Sequence, residues 1–131
     1  MHIKETYPLI VTDRLAEARD FYLERLGMEV TFETDWVVYV SRPVRGARVG
    51  VCFMAPDLDH QIPEHRSAYS GNSVILTFEV EDAEVELEAL RAKGIEPDVA
   101  IRDEPWGQRH FMMRDPAGVW VDIVQELAGE G

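Results

Sequence analysis

The chain has 131 residues, 46% of them hydrophobic, with 25 acidic side chains against 13 lysines and arginines and a formal charge of −12. That length suffices for one domain with a real core, while the acidity argues against nucleic acid, whose binding depends on lysine and arginine meeting phosphate. Cys52 is the single cysteine, so no intramolecular disulfide is available, and no leader segment or membrane-length apolar run is evident; a cytoplasmic protein with neither membrane nor nucleic-acid partners is expected.

Alternation and composition predict a first strand near residues 4–12. A helix follows between Asp13, placed to cap its N-terminus, and Gly27, suited to the left-handed residue that ends it. Within it Leu15, Ala18, Phe21, Tyr22 and Leu26 recur at the spacing that buries one stripe. Strands near 28–34, 36–42 and 47–54 come next, punctuated by Thr34-Asp35 and Arg45-Gly46. Residues 55–72 carry no periodicity and read as a linker long enough to suspect an ordered or functional role.

The pattern then repeats. A strand near 73–80 ends at Asp82, a helix with Leu87 and Leu90 on its seam runs to Gly94, and strands near 97–103, 108–114 and 118–125 follow, the last two joined by Asp115-Pro116-Ala117-Gly118. The chain is therefore read as one α+β domain over residues 1–131, built of two βαβββ modules at about 3–54 and 73–127.

Two segments carry a family resemblance. Asp13-x7-Phe21-Tyr22-x3-Leu26-Gly27, and Trp106-Gly107-x-Arg109-x-Phe111-x3-Asp115-Pro116-x-Gly118, resemble the vicinal oxygen chelate superfamily of glyoxalases, extradiol dioxygenases and bleomycin- or fosfomycin-resistance proteins. The resemblance implies that the paired modules curl their eight strands into a cup-shaped half-barrel with the helices outside. It also implies a homodimer. Enzymes of the superfamily hold a divalent metal with one side chain from the first and one from the last strand of each module. Carried over, those positions fall on Thr6, on Gly50 or Cys52, on Ile75 and on Asp122, so one carboxylate remains and neither a metal nor another cofactor is expected.

Other residues supply the candidate site. Val121 and Ile123 read as helix-facing, which turns Trp120 and Asp122 toward the cup, where a carboxylate beside an indole suits a cationic ligand. On the strand 108–114, parity groups His110 with Gln108 and Met112, and Arg109 with Phe111 and Met113, leaving open which set faces the cup. In the resistance-protein branch the resemblance places Trp106-Gly107-x-Arg109 beside bound drug, and Trp36 is a second rim candidate. The ligand-binding set is thus Trp36, Trp106, Arg109, His110, Trp120 and Asp122, with no catalytic residue assigned. His60, Glu64 and His65 in the linker read as solvated, and Cys52 as a small buried hydrophobe.

The functional expectation is a metal-free protein that sequesters a small aromatic ligand, cationic in character. A lyase, isomerase or dioxygenase with a non-standard metal site is the alternative, and an interaction protein with a filled cup the third.

Overall fold

The computed structural model describes residues 1–127 and divides the chain into two compact units, Met1–Ser70 and the part from Gly71 onward. Residues 128–131, the end of the expected domain, lie outside the described residues. In the first unit β1 (Leu9–Val11) leads through α1 (Leu15–Leu26) to β2 (Glu29–Glu33), β3 (Val37–Val44) and β4 (Ala47–Met54). In the second, β5 (Ile75–Glu79) leads through α2 (Ala83–Ala92) to β6 (Val99–Glu104), β7 (Gln108–Arg114) and β8 (Trp120–Glu126). Each unit is an open four-stranded sheet, ordered β1-β4-β3-β2 and β5-β8-β7-β6, with its first and last strands parallel and the other pairs antiparallel. This is the α+β architecture of two βαβββ modules.

Apolar spacing decides what each helix buries. Ala18, Phe21 and Tyr22 of α1 are buried with Val38, Val40, Val51 and Phe53 of the sheet, and the rings of Tyr22 and Phe53 lie 5.5 Å apart. In the second unit Ala83, Leu87 and Leu90 of α2 are buried, as are Phe111, Met113, Val121 and Ile123. Successive strand residues point to opposite faces, so the helix-side residues of β7 and β8 leave His110, Met112, Trp120 and Asp122 on the other. No helix among the described residues is long and apolar enough to cross a membrane.

The structure moves two boundaries. β1 is only Leu9–Val11, shorter than the expected strand, because Pro8 has no N–H to give a ladder, although its carbonyl still accepts from Cys52 N at 2.9 Å. Asp13 does not cap α1: the N-cap is Arg14, and the Thr12 hydroxyl accepts the Arg14 N–H at 3.1 Å. Asp82 does cap α2, accepting from Val85 N at 3.2 Å. The repeat therefore equates Arg14 with Asp82. Register agrees, since Thr12 N bonds Met54 O as Val80 N bonds Val124 O, each at 2.8 Å, and Leu9 pairs with Cys52 as Thr77 pairs with Asp122. Cys52 is thus the counterpart of Asp122, and Tyr7 that of Ile75.

The segment after β4 is hydrogen-bonded to itself and to the first unit. Buried Gln61 donates to Ala55 O and accepts from Leu58 N, both at 2.8 Å, ahead of a short 3-10 turn at Pro63–His65. Tyr69 N then donates to Val11 O at 2.8 Å, which takes up an edge group of β1.

Asp115 holds the β7–β8 turn. Its buried Oδ1 accepts from Ala117 N and Val119 N at 2.9 Å each, and Gly118 supplies the positive φ of 90° that the turn needs. Asp115→Ala leaves two N–H groups without that acceptor. The expected loss is about 2 kcal/mol, read as a lower urea midpoint at unchanged slope; an unmoved midpoint counts against this role.

Candidate functional site

The second unit's sheet settles the parity that sequence left open. Met112 stands opposite Asp122, His110 opposite Val124 and Arg114 opposite Trp120, so His110, Met112, Trp120 and Asp122 share the face turned away from α2. Arg109 alternates to the helix side with buried Phe111 and Met113. There its guanidinium meets Asp103 through two contacts of 2.7 and 3.1 Å, and Asp103, with Glu84 and Asp82 near the start of α2, keeps it strongly basic. Arg109 and His110, both named as ligand-binding candidates, thus stand on opposite faces of β7, as the parity of the strand requires.

His110 is the centre of a four-residue chain. Its Nδ1 lies 2.8 Å from Asp122 Oδ1 and its Nε2 lies 2.7 Å from Glu104 Oε2, while Arg102 Nε donates to that same Glu104 oxygen at 2.7 Å. The side chains of His110, Glu104 and Asp122 are 10, 11 and 16% exposed. Burial alone would push the imidazole toward neutrality, but its hydrogen bonds to the two carboxylates outweigh burial and raise its pKa. Glu104 is held low, first by His110 and then by Arg102. A neutral imidazole has one N–H and an ionised carboxylate has none, so donation to both partners requires the imidazolium. The cluster then balances: two carboxylates, one imidazolium, one guanidinium.

Glu104 and Arg102 escaped the sequence reading. Their signal was the Pro105-Trp106-Gly107 turn, which sets Glu104 opposite Gln108 and Arg102 opposite His110. Without knowing that register, Glu104 reads as one more acid in an acidic chain.

The two tryptophans of the second unit do not converge as expected. Trp106 in the β6–β7 turn is 65% exposed, with its Nε1 donating to Gln108 Oε1 at 2.8 Å. Trp120 pairs with Arg114, whose guanidinium lies 5.5 Å from the indole centroid. From Gln108 to Arg114 the ladder rises roughly 20 Å, so Trp106 and Trp120 mark opposite ends of β7 and only Trp120 neighbours Asp122. Trp36 belongs to the first unit, where its ring meets His60 edge-on at 4.7 Å.

The four positions that the family resemblance assigns to metal ligands are read from the corrected repeat as Tyr7, Cys52, Ile75 and Asp122. Ile75 offers no donor. Tyr7 packs its ring on Tyr39, with centroids 4.8 Å apart. Cys52 is buried and its thiol pKa is raised by that burial, which disfavours the thiolate a metal needs. Asp122 is engaged by His110. Neither unit's pair of positions supplies the donors a divalent ion takes, and among the described residues no group of three or more histidine, cysteine or acidic side chains is placed to hold one.

Comparison with solved structures extends the fold. A glyoxalase/bleomycin resistance protein/dioxygenase from Nocardioides superposes with a TM-score of 0.75 at 23% identity, over 98% of this chain and 87% of its own. A lactoylglutathione lyase from Agrobacterium tumefaciens gives 0.69 at 22% identity, over 98% and 94%. A bleomycin resistance determinant encoded on the transposon Tn5 gives 0.66 at 17% identity, over 95% and 98%. No curated protein sequence is significantly similar to the chain. The match that decides membership is to the family itself: residues 2–123 fit the Glyoxalase/Bleomycin resistance protein/Dioxygenase superfamily, and the chain belongs to it.

Proposed function

We propose that this chain binds a small, flat, positively charged molecule without the metal chemistry of its enzymatic relatives. The observation that carries the reading is Asp122: it stands at a position the family resemblance assigns to a metal ligand, yet the other such positions hold Tyr7, Cys52 and Ile75. His110 uses Oδ1 of Asp122, and Oδ2 has no hydrogen-bond partner among the described residues. Trp120 and Ile75 pair beside it across the β5–β8 ladder, and the Trp120 ring already accepts the Arg114 cation on its face. An aromatic cation would compete for that ring and place its donor on Oδ2.

The enzymatic alternative has less support. Both nitrogens of His110 are engaged by carboxylates, so neither is free to exchange a proton with a substrate. A pH-rate profile from any reaction found for this chain would reopen it if His110→Gln abolished the rate.

We also propose that the chain works as a homodimer in the cytoplasm. β2 is an edge strand of the first unit, and its Val30 and Phe32 are exposed, an arrangement that a second copy would cover.

Titration with aromatic cations should quench tryptophan fluorescence, and Asp122→Asn should weaken a cationic ligand roughly ten-fold while leaving a neutral isostere nearly unchanged. Equal losses for both, or no binding across the panel, would contradict the reading. Sedimentation of the folded protein should give a dimer; a monomer at micromolar concentration overturns that part. The His110 cluster predicts a pH dependence. A histidine whose pKa is raised on folding contributes stability fully below about pH 6.5 and loses it as pH rises through the higher folded value. Thermal melts should therefore show a fall in stability above that pH that His110→Gln removes; parallel curves for the two proteins would sink the assignment.

A further inference from the structure

We infer that the first unit carries a recognition point for the carboxylate of a flat aromatic ligand, with Arg48 as its cation and the Tyr7–Tyr39 pair as its wall. Nothing in the Asp122 reading requires it, because its residues all belong to the other unit.

The face comes from the same alternation. Val38 and Val40 are buried on the α1 side of β3, so Tyr39 and Ser41 take the opposite side. Gly50 stands opposite Ser41 in β4, and a Cβ there would lie 2.7 Å from Tyr39 Cε1 and 2.5 Å from the Val40 carbonyl oxygen. The Tyr39 ring therefore occupies the room that a side chain at residue 50 would fill. Tyr7 stacks on it at a tilt of 32°, and the Tyr39 hydroxyl donates to Glu5 Oε2 at 2.8 Å. Burial, then Glu5, pushes the Tyr39 pKa up to about 12, so the hydroxyl stays protonated. The result is a fixed aromatic surface, with Tyr7 itself 47% exposed.

Arg48 is the cation on this face, and it forms no ion pair among the described residues, Glu5 being taken by the Tyr39 hydroxyl. Its Nε donates to the Ser41 hydroxyl at 3.1 Å, and that fully buried hydroxyl is hydrogen-bonded in turn to Thr31. Burying a hydroxyl in a sheet is costly unless it is bonded, and here its bond aims a guanidinium. Arg14, Arg19, Arg91, Arg102 and Arg109 all form ion pairs with carboxylates. Arg48, like Arg42, Arg45, Arg66 and Arg114, forms none among the described residues, and it stands on the Tyr39 face of the sheet. Its Nη groups have no hydrogen-bond partner among those residues either, and the open end-on pair of Nη–H groups matches a planar carboxylate. Glu5 and Arg48 both act electrostatically on the Tyr39 hydroxyl, from opposite signs of charge. Glu5 thus weakens an incoming anion, which supplies a test that a purely structural role for Arg48 would not pass.

The test titrates the full chain with benzoate, with benzamide as the uncharged isostere and cyclohexanecarboxylate as the non-aromatic acid, reading the arginine Nε–H and tyrosine ring resonances. Benzoate should bind saturably with a Kd of about 1 mM or tighter, shift Arg48 and Tyr39 together, and exceed both analogues several-fold. Arg48→Gln should weaken it about ten-fold, the loss of one charge-assisted interaction, and Glu5→Gln should strengthen it. Should Arg48→Gln not fold, Arg48→Lys keeps the charge without the fork and should bind at an intermediate level. Benzoate binding no better than benzamide, binding that survives the loss of Arg48, or Glu5→Gln weakening it instead overturns the inference. If the Asp122 reading alone fails, these outcomes stand unchanged.

Discussion

A strand has two faces, and in both units a helix claims one of them. α1 and α2 bury their apolar stripes on Val38, Val40 and Phe53 and on Phe111, Met113, Val121 and Ile123 respectively. Removing such side chains from water contributes roughly 1.5–3 kcal/mol each, so the set together outweighs any single polar contact on the opposite side. Slipping a strand by one residue would put that whole set into solvent. The chemistry of His110, Asp122, Tyr39 and Ser41 is therefore located by residues that take no part in it.

On the second unit's free face, burial of charge sets the terms. An unpaired carboxylate shielded as Asp122 and Glu104 are would be costly. The chain Arg102–Glu104–His110–Asp122 avoids that by alternating sign through contacts of 2.7 to 2.8 Å. An apolar replacement of the whole cluster could match its stability, whereas removal of one member leaves a charge without its partner. That asymmetry makes the cluster a means of holding Asp122 in one orientation, as the proposed recognition role requires.

The two modules share a scaffold but not a surface. At equivalent positions the first carries Tyr7 and Cys52 where the second carries Ile75 and Asp122, and their helices begin differently, at Arg14 without a side-chain cap and at capped Asp82. Backbone pairing is conserved between the repeats down to matching hydrogen bonds, while the outward residues have diverged. Superfamily membership accordingly describes the frame, and the outward residues carry what is particular to this chain.

Much of the frame was legible in the residues. Two copies of strand, helix and three strands follow from alternation, from the apolar stripe Ala18-Phe21-Tyr22, and from glycines such as Gly27 that tolerate a left-handed backbone, here at φ 66°. The Asp115-Pro116-Ala117-Gly118 turn was readable because its hydrogen bonds close within four residues. Asp13 misled because a cap depends on where the backbone leaves extended geometry, and that point lies one residue later, at Arg14. Local pattern also grouped His110 with Gln108 and Met112 without saying which set the helix would cover. Only packing of α2 decided that, and with it the place of Arg109 on the helix side. The partners of His110 come from two other strands, β6 and β8, and contacts between residues distant along the chain leave no periodic trace in any one segment. Sequence by itself therefore determined the elements and their order, because those rest on interactions a few residues long; the tertiary structure decided which side chains meet, because register and helix packing are properties of the assembled sheet.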